Sequence, residues 1–220
     1  MAKNEPAAFC SRILSYPDIN MNKISRVNHL FKLKVKNTDI VICFSFVAVF
    51  TLCVLLYSEK VIVISVASSL LHECGHIAAM RANGVTIKEI RFYGGGMKIT
   101  RDLSCIPFSQ ELFVTFAGVL VNFCLCLLSY CFFKTIFSVN LAILIFNLLP
   151  IGCLDGARTL ELISDKYPRI KPLLVTVKTI FCALLLCLCF YSFMRLKISI
   201  SVFVTVLFLT VGEIVYMRKK

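Results

Sequence analysis

Six apolar runs, at 40–57, 61–80, 112–133, 136–153, 173–194 and 198–217, divide the chain. Each approaches the roughly 20 residues that a helix needs to cross hydrocarbon. The pattern predicts an all-α polytopic membrane protein of about six transmembrane helices. Pro150 and Gly152 break the end of the fourth run, and such breaks are tolerated in a bilayer where protein or water satisfies the freed backbone groups. Between the second and third runs the period changes. Val85-Thr86-Ile87-Lys88-Glu89-Ile90-Arg91-Phe92-Tyr93 alternates β-branched and aromatic residues, Gly94-Gly95-Gly96 permits a tight turn, and Met97-Lys98-Ile99-Thr100 can return. This reads as a short glycine-rich, membrane-associated β-hairpin between the second and third helices.

Composition agrees with this picture: 59% of residues are hydrophobic and 16% charged, which excludes a water-soluble globule. The first 39 residues lack the apolar core of a secretory signal, so the first run is expected to serve as its own insertion signal. Most of the twelve cysteines lie inside the apolar runs, where they act as small hydrophobes and not as a disulfide framework. Cys124-x-Cys126 and Cys187-x-Cys189 lack the two-residue gap of common zinc motifs.

A net charge of +12 in a soluble protein would suggest a nucleic-acid partner, but its distribution here argues for a topology signal. Threading six spans puts nineteen basic residues on the side of both termini and four on the other, which sets both termini in the cytoplasm of a bacterial cell membrane. Residues 1–38 then form a polar basic tail, 39–217 one membrane domain, and 218–220 a basic cytoplasmic end. No nucleic-acid partner is expected; Lys32-x-Lys34-x-Lys36 faces anionic lipid.

The chemistry lies in the second run, at His72-Glu73-Cys74-Gly75-His76. Imidazoles at i and i+4 share a helical face and can clamp zinc, while the adjacent glutamate can take a proton from water. Ionisable groups inside a spanning segment are functional hypotheses by default. A catalytic zinc usually takes three protein ligands. The third candidate is Asp155, at the end of the fourth run in Asn147-Leu148-Leu149-Pro150-Ile151-Gly152-Cys153-Leu154-Asp155-Gly156. Both runs cross outward to inward, so all three groups share a side and an approximate depth. The alternatives are a membrane metal transporter and a non-catalytic zinc-stabilised scaffold; a transporter has no need of a glutamate directly beside the first histidine and usually shows repeated halves.

Together, His72-Glu73-Cys74-Gly75-His76 and Asn147-x-x-Pro150-x-x-x-x-Asp155-Gly156 resemble the site-2 protease family of intramembrane zinc metalloproteases, and most of all the bacterial sporulation group that processes a sigma-factor precursor. The resemblance implies one zinc per chain bound by His72, His76 and Asp155, with Glu73 as the catalytic base. It implies a membrane-embedded or membrane-tethered protein substrate, cut near the cytoplasmic face to release a transcription or signalling factor, with an inhibitory membrane partner as a further expectation. Substrate would add as an extended strand beside Phe92-Tyr93-Gly94-Gly95-Gly96. Asn147, ahead of Asn122, is the expected oxyanion donor. The family's Gly-Pro-x-x-Asn pattern in the third span appears as Gly118-Val119-Leu120-Val121-Asn122, with valine in place of proline.

Overall fold

The structure is a computed structural model that describes residues 29–35, 37–94, 96–102, 106–151, 154–196 and 210. The chain forms two compact units, Met1–Leu144 and Ile145–Lys220.

The first unit is built on a four-stranded sheet in the order β1-β2-β3-β4. Strands β1 (His29–Val35) and β2 (Thr38–Cys43) pair antiparallel, as do β3 (Ile87–Tyr93) and β4 (Gly96–Arg101). The two hairpins join through a parallel β2–β3 ladder running from Asp39 opposite Glu89 to Ile42 opposite Phe92. A parallel pair needs a long crossover, supplied here by α1 (Phe44–Leu56) and α2 (Glu59–Ala82). Val41, central in the sheet, is 1% exposed.

The first apolar run is therefore not one helix. Asp39-Ile40-Val41-Ile42 is largely β-branched and has a strand on either side to pair with, so it joins the sheet. What remains is a 13-residue helix. Residues 29–35, expected to be polar tail, pair as the outermost strand.

Among the described residues, three helical stretches are long and apolar enough to cross a membrane: Glu59–Ala82, Phe108–Ser129 and Pro168–Tyr191. Phe44–Leu56 and Lys134–Leu148 are apolar but shorter. Apart from Thr210, the expected sixth run lies outside the described residues. The apolar helices make the chain an integral membrane protein.

Helix α2 ends by a specific device. Gly84 adopts φ +72°, its N–H donates to the Arg81 carbonyl at 3.0 Å, and Val85 N–H donates to the Met80 carbonyl at 2.9 Å. These are the paired bonds of a Schellman motif. The chain then turns into β3. At the hairpin tip, Gly96 at φ +123° takes a conformation open in practice to glycine alone. Gly94 packs on α1: its N–H donates to Ser45 Oγ at 3.1 Å, and the Phe92 and Phe46 rings meet at 5.5 Å between centroids. The far end of the hairpin is tied to α3 (Phe108–Ser129), where Arg101 donates two hydrogen bonds of 2.7 Å to the buried Glu111 carboxylate.

Helices α2 and α3 pack closely because their contact is made of small residues. A methyl group on Gly75 would stand 2.8 Å from both the Ala117 carbonyl oxygen and Val121 Cγ2. Below this contact, Ala79, Val114 and Ala117 form a buried cluster with Met80 and Ile106. After α3, the chain turns into α4 (Lys134–Leu148), with the Tyr130 and Phe137 rings edge to face at 5.4 Å. That helix stops two residues short of Pro150, as the restriction on the residue before proline requires.

The second unit contains the end of α4, then α5 (Asp155–Lys166), a 3-10 turn at Pro168–Ile170 and α6 (Lys171–Leu196). Asp155 opens α5, where its charge complements the helix dipole. Gly156 lets the backbone at the end of α4 approach: a methyl group there would stand 2.8 Å from the Leu149 carbonyl oxygen.

Candidate metal centre

His72 and His76 lie one turn apart on the face of α2 that packs on α3, and both are buried. Their Nε2 atoms stand 3.1 Å apart. Each ring is held at its other nitrogen. Nδ1 of His76 lies 2.7 Å from the Val114 carbonyl oxygen; a carbonyl only accepts, so Nδ1 carries a proton and, in the neutral ring, Nε2 keeps its lone pair. Nδ1 of His72 lies 3.3 Å from the side-chain amide of Asn122, which is fully buried. That amide can serve either tautomer: its nitrogen donates to a bare Nδ1, or its oxygen, once turned, accepts from Nδ1–H. The second arrangement gives His72 the same tautomer as His76 and aims two lone pairs at one point.

Gly118 makes room for this point. A methyl group there would stand 2.6 Å from His72 Nε2 and closer still to His76 Nε2. Gly118 and Asn122, one turn apart on α3, thus have separate tasks: the glycine leaves space at the Nε2 side and the asparagine orients His72 from behind. The residue between them that departs from the family pattern, Val119, is buried inside an unbroken helix.

Two nitrogens each about 2.0–2.1 Å from a tetrahedral ion stand roughly 3.3–3.4 Å apart, so the observed pair fits a zinc ion. Glu73 is half-buried on α2 between the histidines in sequence. Asn147 is the penultimate residue of α4 and Asp155 the first of α5, both half-buried and both in the second unit. The Val114 carbonyl had no signal in the sequence, because any residue offers one. Asn122 carried the family's Gly-x-x-x-Asn spacing, and its position behind His72 differs from the oxyanion role considered for it.

Residues 60–138 match peptidase family M50, a segment that takes in both histidines, Glu73, the β3–β4 hairpin and all of α3. No curated protein sequence matches the chain. Among solved structures, the site-2 protease from Methanocaldococcus jannaschii is similar in fold, with a TM-score of 0.54 and 23% identity over 83% of this chain and 94% of that one. The family match falls on the segment whose side chains form the histidine pair, and the fold is similar to that of a site-2 protease.

Proposed function

We propose that the enzyme holds one zinc ion between His72, His76 and Asp155 and hydrolyses a peptide bond in a membrane-embedded or membrane-tethered protein. The observation that carries this reading is the 3.1 Å separation of the two Nε2 atoms, each ring braced at Nδ1. Asp155 is the third ligand on the grounds of its chemistry, its place at a broken helix end and its depth in the threaded topology.

Bound there, zinc supplies Lewis acidity, polarising a peptide carbonyl and making a water acidic near neutral pH. Glu73 accepts the proton of the attacking water and returns it to the departing amine. Asn147 donates its amide hydrogens to the developing oxyanion. A transmembrane helix hides its carbonyls in its own hydrogen bonds, so the substrate must be extended first. Strand β4 is the sheet edge next in sequence to α3, and a sheet edge is where an extended strand can add.

The histidines lie five and nine residues before Arg81, the cation in the last turn of α2, or roughly 7–14 Å along the axis. With the basic side inward, the cut falls near the cytoplasmic face and releases a transcription or signalling factor, in the sporulation pathway or a related one, under an inhibitory membrane partner. The test is reconstitution of purified protein with one equivalent of zinc and a set of membrane-tethered candidate substrates. Cleavage that a chelator removes and zinc restores supports the proposal; zinc-loaded protein that cuts none of the set, sigma-factor precursors included, overturns it.

A further inference from the structure

On the first unit, away from the histidine pair, a groove of about 450 Å³ opens between the end of α2 and the β1-β2-β3 side of the sheet. Its size falls in the range of small-ligand sites, roughly 300–1,000 Å³. Val35, Ile40, Val85, Ile87 and Ile90 make its apolar walls, and Arg81 lies at its rim. We propose that this groove binds an anionic glycerophospholipid, with an acyl chain along the apolar walls and the phosphate on Arg81.

Three observations select this occupant. The first is charge. The acids of the neighbouring strands are committed, Asp39 to Lys32, Glu89 to Arg91 and Asp102 to Lys88, while the Arg81 guanidinium makes no ion pair among the described residues. A guanidinium is suited to two-pronged recognition of a phosphate. The second is position. Arg81 lies in the last turn of a helix long and apolar enough to cross a membrane, which is where headgroups begin. The third is the state of the backbone. Strands β2 and β3 are paired on both sides and Thr38 Oγ1 donates to the Ile87 carbonyl, so the walls that these two strands supply offer no strand edge to a peptide; Val35 alone comes from the edge strand β1. A peptide laid here would leave its own amides unsatisfied in an apolar trough. An acyl chain has none to satisfy.

The probe is full-length protein in mixed micelles of phosphatidylglycerol and phosphatidylcholine, read by native mass spectrometry of retained lipid. The expected result is phosphatidylglycerol kept at least about tenfold over phosphatidylcholine. Arg81→Gln removes the preference, and Val35→Glu, a change at a half-exposed edge-strand position, removes retention. Lys134→Gln, a cation elsewhere in the unit, leaves both unchanged, and circular dichroism and zinc content confirm that each variant is folded. Equal retention of the two lipids, or a preference that survives Arg81→Gln, overturns the proposal. Displacement by millimolar glycerol phosphate would reduce the site to a phosphate contact, and displacement by an apolar peptide would make it a peptide groove; either result also overturns it. Because the readout is lipid and not proteolysis, the outcome is independent of the substrate reading above.

Discussion

The side-chain amide of Asn122 lies 3.3 Å from Nδ1 of His72, fully enclosed between α2 and α3. Groups that hold the far nitrogen of a ligating histidine fix its tautomer and orientation, and their loss typically lowers metal affinity 10–100-fold. Asn122→Ala is therefore expected to weaken zinc binding by about that factor, while Asn122→Asp, which can still accept from Nδ1–H, retains most of it. Competition titration against a zinc indicator measures both. Equal affinity in Asn122→Ala and wild type would remove the positioning role.

Gly118→Ala should be more severe. The added methyl would occupy the space into which both Nε2 atoms point, 2.6 Å from that of His72. The expected outcome is loss of stoichiometric zinc and of activity with helical content preserved. Gly75→Ala tests a different contact, since it separates α2 from α3; overpacking of this kind typically costs about 1–3 kcal/mol. A Gly118→Ala protein that binds zinc as tightly as wild type would show that the ion is held elsewhere.

Glu73→Gln should keep the metal and lose the chemistry. The proposed ligands remain, but the amide cannot accept the water's proton, and such groups typically contribute 10²- to 10⁴-fold. Zinc content and cleavage measured on one preparation decide the matter: activity above about a hundredth of wild type contradicts an essential base.

For the third ligand, Asp155→Ala is expected to abolish zinc binding and proteolysis together, and Asp165→Ala, near the other end of the same helix, neither. Unchanged zinc affinity in Asp155→Ala would show that another group completes the site.

The Arg101–Glu111 pair predicts a stability effect. Glu111 is almost entirely buried and its carboxylate takes both guanidinium hydrogen bonds, so truncating it strands a largely enclosed cation. Breaking such a pair costs about 3–5 kcal/mol. Glu111→Ala should unfold at markedly lower temperature in detergent, with the β3–β4 hairpin the first element to lose protection in hydrogen exchange. Normal protection there would detach the pair from hairpin docking.

The histidine pair was legible because a helix repeats its face every three to four residues, so two ligands could be placed on one face from spacing alone. Strands 87–93 and 96–101 were visible through alternation around three glycines, a signal confined to one short window. The β1–β2 hairpin was not visible. Its β-branched residues continue directly into the apolar helix that follows, and what makes them strand is a partner some fifty residues on, Asp39 with Glu89 and Ile42 with Phe92. Hydropathy cannot register a partner that distant. Nor could it find the Val114 carbonyl on His76, a backbone group, or separate the tasks of Gly118 and Asn122, which depend on how closely two helices approach.

The parallel β2–β3 ladder also constrains the order of assembly. Strand β2 leaves the ribosome before α1 and α2, yet its inner edge stays unpaired until both helices have been made and β3 has followed them. Such long-range pairing is slow because the intervening chain must be ordered first. For that interval the nascent protein exposes Asp39–Ile42 as an open strand, a template for unwanted pairing. A lesion that slows insertion of α2 would therefore show its first symptom as self-association through β2, before any loss of metal, and arrested chains ending between 82 and 87 should aggregate where chains extended past 101 do not.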